Sequence, residues 1–217
     1  MKPKIRQYHP EGLDRQQIND ICCDCALLGA PIDSVFQDRE WFSEFMISPY
    51  LVLEPEHTWV AEAAGKVVGY LTGAIGPHFG LYRAQLALLS VNRMLWNYML
   101  GRYEKHPRSQ QFARFVLTEA LPQVPPHPST SGHFHFNVAK DYRGQGIGSL
   151  LRAQFEMALR ASGVKRYYAE VMCRGQEHEA YFRRLGYSIH GEPIPTTVFS
   201  TEVPDLRVMC IVKDLPE

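Results

Sequence analysis

The sequence carries no surplus of either charge: 23 Lys plus Arg are set against 23 Asp plus Glu. Such a chain exerts no long-range pull on a polyanion, so neither nucleic acid nor an anionic membrane is an expected partner. Long apolar runs are missing too. The most apolar stretch, Leu81 to Leu100, is interrupted by Arg83, Asn92, Arg93 and Asn97, which argues against a membrane span. The opening MKPKIRQYHPEGLD lacks the apolar centre of a secretion signal, and the expected location is the cytoplasm. Cysteine is scarce, with 5 in all. Cys22, Cys23 and Cys25 crowd together while Cys173 and Cys210 stand alone, so no second pair completes a zinc set, no metal is expected, and the three read as small buried residues on a helix. A GxxxxGK[ST] loop is absent, and glycines at 144, 146 and 148 do not fit GxGxxG. Both P-loop and dinucleotide-binding chemistry are therefore disfavoured.

What is there centres on one run from Gly132 to Gly163. Phe134, Phe136 and Val138 alternate with His133, His135 and Asn137, the pattern of a strand with one apolar and one polar face. Arg143-Gly144-Gln145-Gly146-Ile147-Gly148 follows, too rich in glycine for strand or helix. Ile147, Leu150, Leu151, Phe155, Ala158 and Leu159 then lie on one helical stripe, closed by Gly163. Glycines between a strand and the first turn of a helix leave backbone N–H groups bare and aimed at one point, where an anion such as a phosphate fits.

The pattern [R/Q]-x-x-G-x-[G/A], filled by Arg143, Gly146 and Gly148, resembles the acetyl-CoA pyrophosphate loop of the GNAT N-acetyltransferases. The following strand (Val164 to Met172), the short helix (His178 to Leu185) and AYFRRLGY, where the family shows Y-x-x-x-G-F, extend the resemblance over about residues 132–190. It implies an α/β (α+β) fold with a mixed, mostly antiparallel sheet splayed between the fourth and fifth strands and flanked by helices. It also implies an acyltransferase moving acetyl from acetyl-CoA to a primary amine by direct attack, since no cysteine lies in the matched motifs. The alternative is a non-catalytic acyl-CoA-binding regulatory module.

Residue by residue, the resemblance assigns the cofactor cradle to Arg143, Gly144, Gln145, Gly146, Ile147, Gly148 and Ser149. The pantetheine arm and thioester carbonyl go to main-chain groups of Asn137, Val138 and Ala139. His133 and His135 are the candidate general bases, sharing the polar face with an ordinary pKa near ~6.5. Their H-x-H is similar to that of arylalkylamine-type acetyltransferases. For the general acid the family places a tyrosine four residues before the glycine, where this chain has Phe182. Tyr181 stands one place earlier, about 100° around the helix. Either Tyr181 serves or the thiolate leaves without a tyrosine. Gly175 stands where the family often has asparagine. Tyr168 and Glu170 share a face of the fifth strand and read as structural.

The 217 residues are enough for one domain spanning 1–217. A strand is expected at Lys4 to Tyr8 and helices at Leu13 to Leu28 and about Asp38 to Ile47, the second ended by Ser48-Pro49. A hairpin is expected about Ala64-Gly65, and a last strand from Leu206 to Lys213. Phe36, Trp41, Phe42, Phe45 and Tyr50 read as core before pocket. Gly191 to Pro195 reads as a loop and Thr196 to Thr201 as a short strand. The departure from compact family members is a helical insertion, about 76–130. Its first helix has an apolar stripe (Leu81, Ala84, Leu88, Val91, Leu95, Tyr98) expected to be buried in its own domain. A lid over the acceptor site and a homodimer surface both remain open for it. The acceptor, a small-molecule or peptide amine, is not legible.

Overall fold

The computed structural model describes residues 3–129 and 131–216; Thr130, where the expected insertion ends, and the terminal Met1, Lys2 and Glu217 lie outside them. Seven strands form one sheet: β1 (Lys4–Gln7), β2 (Thr58–Ala63), β3 (Lys66–Ala74), β4 (Gly132–Val138), β5 (Arg166–Arg174), β6 (Ser188–Pro195) and β7 (Leu206–Asp214), in the order β1-β2-β3-β4-β5-β7-β6. Every pairing is antiparallel except β4–β5. That pair meets only at Gly132↔Tyr167 and His133↔Tyr168, while β4 stays zipped to β3 as far as Val138. The sheet is therefore splayed where the family pattern requires.

Six helices flank it: α1 (Asp14–Asp24), α2 (Arg39–Leu53), α3 (Phe79–Met99), α4 (Pro107–Thr118), α5 (Ile147–Ala161) and α6 (Gly175–Arg184). The alternation read in β4 sorts the two cores. Phe134 joins Leu151, Phe155 and Leu159 of α5 on one face, while Ile18, Ile21, Trp41, Ile47 and Tyr70 are buried with α1 and α2 on the other. Among the described residues no helix is long and apolar enough to cross a membrane. The β2–β3 turn holds Ala64 and Gly65 at φ of +50° and +75°, both left-handed, the twist a two-residue hairpin prefers.

Four expectations need correction. First, α2 does not stop before Pro49 but runs through it to Leu53. A proline inside a helix costs about 3 kcal/mol. Burial of Tyr50 and Leu51, each worth about 1.5–3 kcal/mol, offsets it. Second, Gly191 to Pro195 is strand, with β6 re-registering on β7 between His190 and Ile194. Third, Thr196 to Thr201 forms turns held by Ser200 N–H to Thr197 O and Val203 N–H to Phe199 O. Fourth, the apolar stripe of α3 is not covered. The helix buries Phe79, Met94 and Asn97 and leaves Leu81, Leu88 and Leu95 exposed.

Candidate active site

The loop from β4 to α5 is built by two left-handed glycines. A short turn (Lys140–Tyr142) leads into Gly144 (φ +75°) and Gly146 (φ +78°), and α5 starts at Ile147. A Cβ on Gly144 or Gly146 would meet nothing within 4 Å, whereas one on Gly148 would stand 3.3 Å from the Phe136 ring. The first two glycines are therefore required by backbone conformation and the third by close approach to β4. Ser149 and Leu150 N–H both bond Gly146 O, closing the first turn. The five N–H groups of residues 144–148 donate no hydrogen bond within the described residues. They sit bare at the positive end of a 15-residue helix.

The loop's side chains face away from that point. Arg143 Nε donates to Val138 O at 3.0 Å and its Nη2 to Gly29 O and Cys25 Sγ, both at 3.1 Å, so this guanidinium ties the loop to the end of α1. Gln145 Nε2 donates to Asp141 O, and Ser149 Oγ accepts from Arg152. Alternation along β4 decides which main-chain groups face the splay. Ala139 N–H is spent on Val68 O. Asn137, two residues back, likewise turns its main chain to β3, and Phe136 and Val138 present theirs to the gap opposite β5.

At the apex of the splay the polar face of β4 meets α2, α3 and β5. His133, buried, holds Glu170 Oε2 on its Nε2 and the Tyr50 hydroxyl on its Nδ1, each at 2.6 Å. Arg83 Nη1 lies 3.3 Å from both ring nitrogens, a geometry that places the guanidinium over the ring, and its Nη2 is 3.8 Å from Glu170. Burial lowers the His133 pKa, with Arg83 adding to the effect and Glu170 opposing it. Glu170 is held well below the usual carboxylate range because His133 and Arg83 outweigh its desolvation. We therefore assign a neutral ring: Nε2–H donates to Glu170 and Nδ1 accepts from Tyr50. Both nitrogens are occupied.

His135 is different. Its Nδ1 is 3.2 Å from the Tyr70 hydroxyl, which also accepts from Asn137 Nδ2 at 3.0 Å. With the phenol accepting from Asn137, we assign the tautomer in which His135 Nδ1–H also donates to the Tyr70 oxygen. Nε2 of His135 then keeps a lone pair. Burial, with His133 and Arg83 nearby, lowers the His135 pKa to about 4, so the ring is uncharged at neutral pH.

Tyr181 is half-exposed on α6. Its ring meets Phe182 edge-on and its hydroxyl bonds nothing among the described residues. Phe182 takes the inward position against Tyr187, as the one-residue offset implies. The thiols of Cys22 and Cys23 are pushed up by burial to about 12 and about 11, so neither is a thiolate at neutral pH. A cavity of about 410 Å³ opens beside the cluster, lined by Glu54, His57, His78, Phe79 and Tyr82; Phe79 also faces the His133 ring.

The sequence brought His133 and His135 to this point but not their partners. Tyr50 read as core before pocket, Arg83 lies in the insertion, and Glu170 read as structural. A signal was present for Glu170 alone: a carboxylate on the inward face of the strand parallel to β4.

Residues 109–187 match the model of the acetyltransferase (GNAT) family. The crystal structure of SsHAT superposes with a TM-score of 0.67 at 26% identity, covering 100% of both chains. The crystal structure of the NatC complex bound to Gag peptide and CoA superposes at 0.53 and 11% identity, again over 100% of both chains. A probable N-acetyltransferase 14 of Danio rerio is 45% identical over 51 residues, which are 24% of this chain and 18% of that protein.

Proposed function

We propose that the chain, whose residues 109–187 match the GNAT acetyltransferase family, moves the acetyl group of acetyl-CoA to a primary amine by direct attack. The observation that carries the reading is the row of five bare N–H groups at the head of α5, beside a β4 edge that has no strand paired to it beyond His133. Residues 144–148 hold the diphosphate through their backbone, with Arg143 and Ser149 bracing the loop. Asn137 and Ala139 turn their main chain to β3 and Val138 O is held by Arg143, so the Val138 N–H and the main-chain groups of Phe136 hold the pantetheine arm as an added strand would be held. Bound there, acetyl-CoA supplies an activated acyl group.

In the transfer, the amine nitrogen bonds the carbonyl carbon, the C–S bond breaks, and the ammonium proton and the thiolate must both be accommodated. His135 Nε2 accepts the proton from nitrogen. Burial, with His133 and Arg83 nearby and Glu170 opposing, keeps His135 neutral. Tyr181, with its free hydroxyl, protonates the departing thiolate. The raised cysteine pKa values support direct attack over an acyl-thiol enzyme. The acceptor reaches the apex from the side of Phe79 and Tyr82, a small-molecule or peptide amine. The test is release of CoA thiol from acetyl-CoA across a panel of alkylamines and peptides. Turnover with one class that is lost in His135→Gln supports the assignment. Saturable CoA binding with no thiol release from any acceptor overturns the catalytic part and leaves a binding module.

A further inference from the structure

We propose that the outward face of α3 is the two-fold interface of a homodimer, two copies crossing antiparallel about the midpoint of the helix. Eight large apolar side chains between residues 81 and 100 are 41–71% exposed. Leu81, Leu88 and Leu95 recur every seventh residue, with Tyr82, Leu89 and Trp96 beside them, and at 100° per residue the set spans an arc of about 140°. At roughly 200 Å² for each full side chain, the exposed part comes to roughly 900 Å². That exceeds the largest apolar patch of an ordinary monomer, about 300–600 Å², and matches the ~800 Å² that each partner gives a standard interface.

The chemistry of the face selects the occupant. Arg93 is its one exposed charged residue within α3, and it is tied to Glu44 at 2.7 Å. Arg83 turns inward to His133 and Glu170. An interfacial membrane helix needs cations along its polar margin, and these are missing. Gln85 and Asn92, both exposed, lie seven residues apart within the stripe, where acyl chains would strand their amides. A second copy supplies what they need, since a primary amide is both donor and acceptor. Pairing Gln85 with Asn92 of the other copy sets the register. The same register brings Leu88 against Leu89, Leu81 against Trp96 and Tyr82 against Leu95, and its centre falls at the middle of Phe79–Met99. A self-matching arrangement of this kind is what an isologous interface requires.

The experiment is sedimentation equilibrium on the full chain at micromolar concentration, with a cross-linking arm. Wild type is expected at twice the 24.8 kDa of the chain. Leu88→Glu is expected at the monomer mass with an unchanged circular dichroism spectrum, because Leu88 is exposed. The double variant Gln85→Cys/Asn92→Cys is expected to form an intersubunit disulfide on oxidation. Neither single variant should, since like positions lie about 10 Å apart in this register at 1.5 Å per residue. All five native cysteines are buried and do not compete. A monomeric wild type, a dimer that survives Leu88→Glu, or monomeric protein that floats with phosphatidylcholine–phosphatidylserine vesicles would overturn the proposal.

Discussion

Replacing Gly146 by alanine separates the loop's binding role from its folding role, because the same helix provides a matched control. Gly146 and Gly163 stand at opposite ends of α5 with φ of +78° and +71°, and an added Cβ meets nothing within 4 Å at either. Each Gly→Ala change forces an L-residue into the left-handed region at roughly 1–2 kcal/mol. For a chain of this size that lowers Tm by about 2–8 °C in both variants. Only Gly146 belongs to the row of bare N–H groups of residues 144–148, where a methyl and a changed backbone compete with a bound diphosphate. Hydrogen bonds from such donors to a charged diphosphate contribute about 1.5–3 kcal/mol each. Losing one or two weakens CoA by roughly 10- to 1,000-fold or more. Titration calorimetry with CoA and scanning calorimetry on the two variants read both quantities. Equal CoA affinity in Gly146→Ala and Gly163→Ala, at equal Tm, would refute the cradle.

Three further outcomes are expected. Tyr181→Phe should lower kcat about 10²-fold or more with unchanged CoA affinity if its hydroxyl protonates the thiolate, a typical value for general acid catalysis; kcat within twofold of wild type returns that step to solvent. Glu170→Gln leaves His133 without its charged partner and should destabilise the fold by about 1–3 kcal/mol in denaturant titration. It should also move the His133 ring signals in NMR, and neither change is expected if the pair is incidental. The folded pKa of His135 is depressed from 6.5 to about 4, so its contribution to stability is complete above pH 6.5 and is lost as pH falls towards 4. Acid titration should show a steeper loss in wild type than in His135→Gln, which keeps only the share due to His133 and the carboxylates.

The sheet and the loop were legible because local chemistry dictates them. Alternation in residues 133–138 and the glycine pattern of 144–148 require the same backbone in any context. Element bounds failed where burial outweighed propensity. Pro49 marks a helix end by local rules, yet Tyr50 and Leu51 gain enough on burial to carry α2 past it. Tyr50, read as core before pocket, lies on that added turn and bonds His133 Nδ1. The face of α3 failed for the opposite reason. A coherent stripe says that a helix has an apolar side, but not that its own chain will cover it. Gln85 and Asn92, in line with the leucines, were the mark that this side is not core, and both are exposed.

The separation between the two histidines decides when the proton moves. An alkylammonium ionises near ~10.4 and His135 near 4. Stripping the bound ammonium with that imidazole would be uphill by about six units, roughly 8–9 kcal/mol at 1.36 per unit. His133 offers no help, with both nitrogens engaged by Glu170 and Tyr50. If His135 is the base proposed above, the acceptor arrives as free amine and His135 acts after the N–C bond has formed, when the nitrogen carries positive charge and its protons are far more acidic. It follows that the acid limb of kcat/KM belongs to the acceptor. With an α-amino group it should lie near ~7.7–8.0 and with an alkylamine near ~10. Two acceptors sharing one limb near 6–6.5 would show instead that an ordinary imidazole does the work and that the neutral, buried apex does not govern the chemistry.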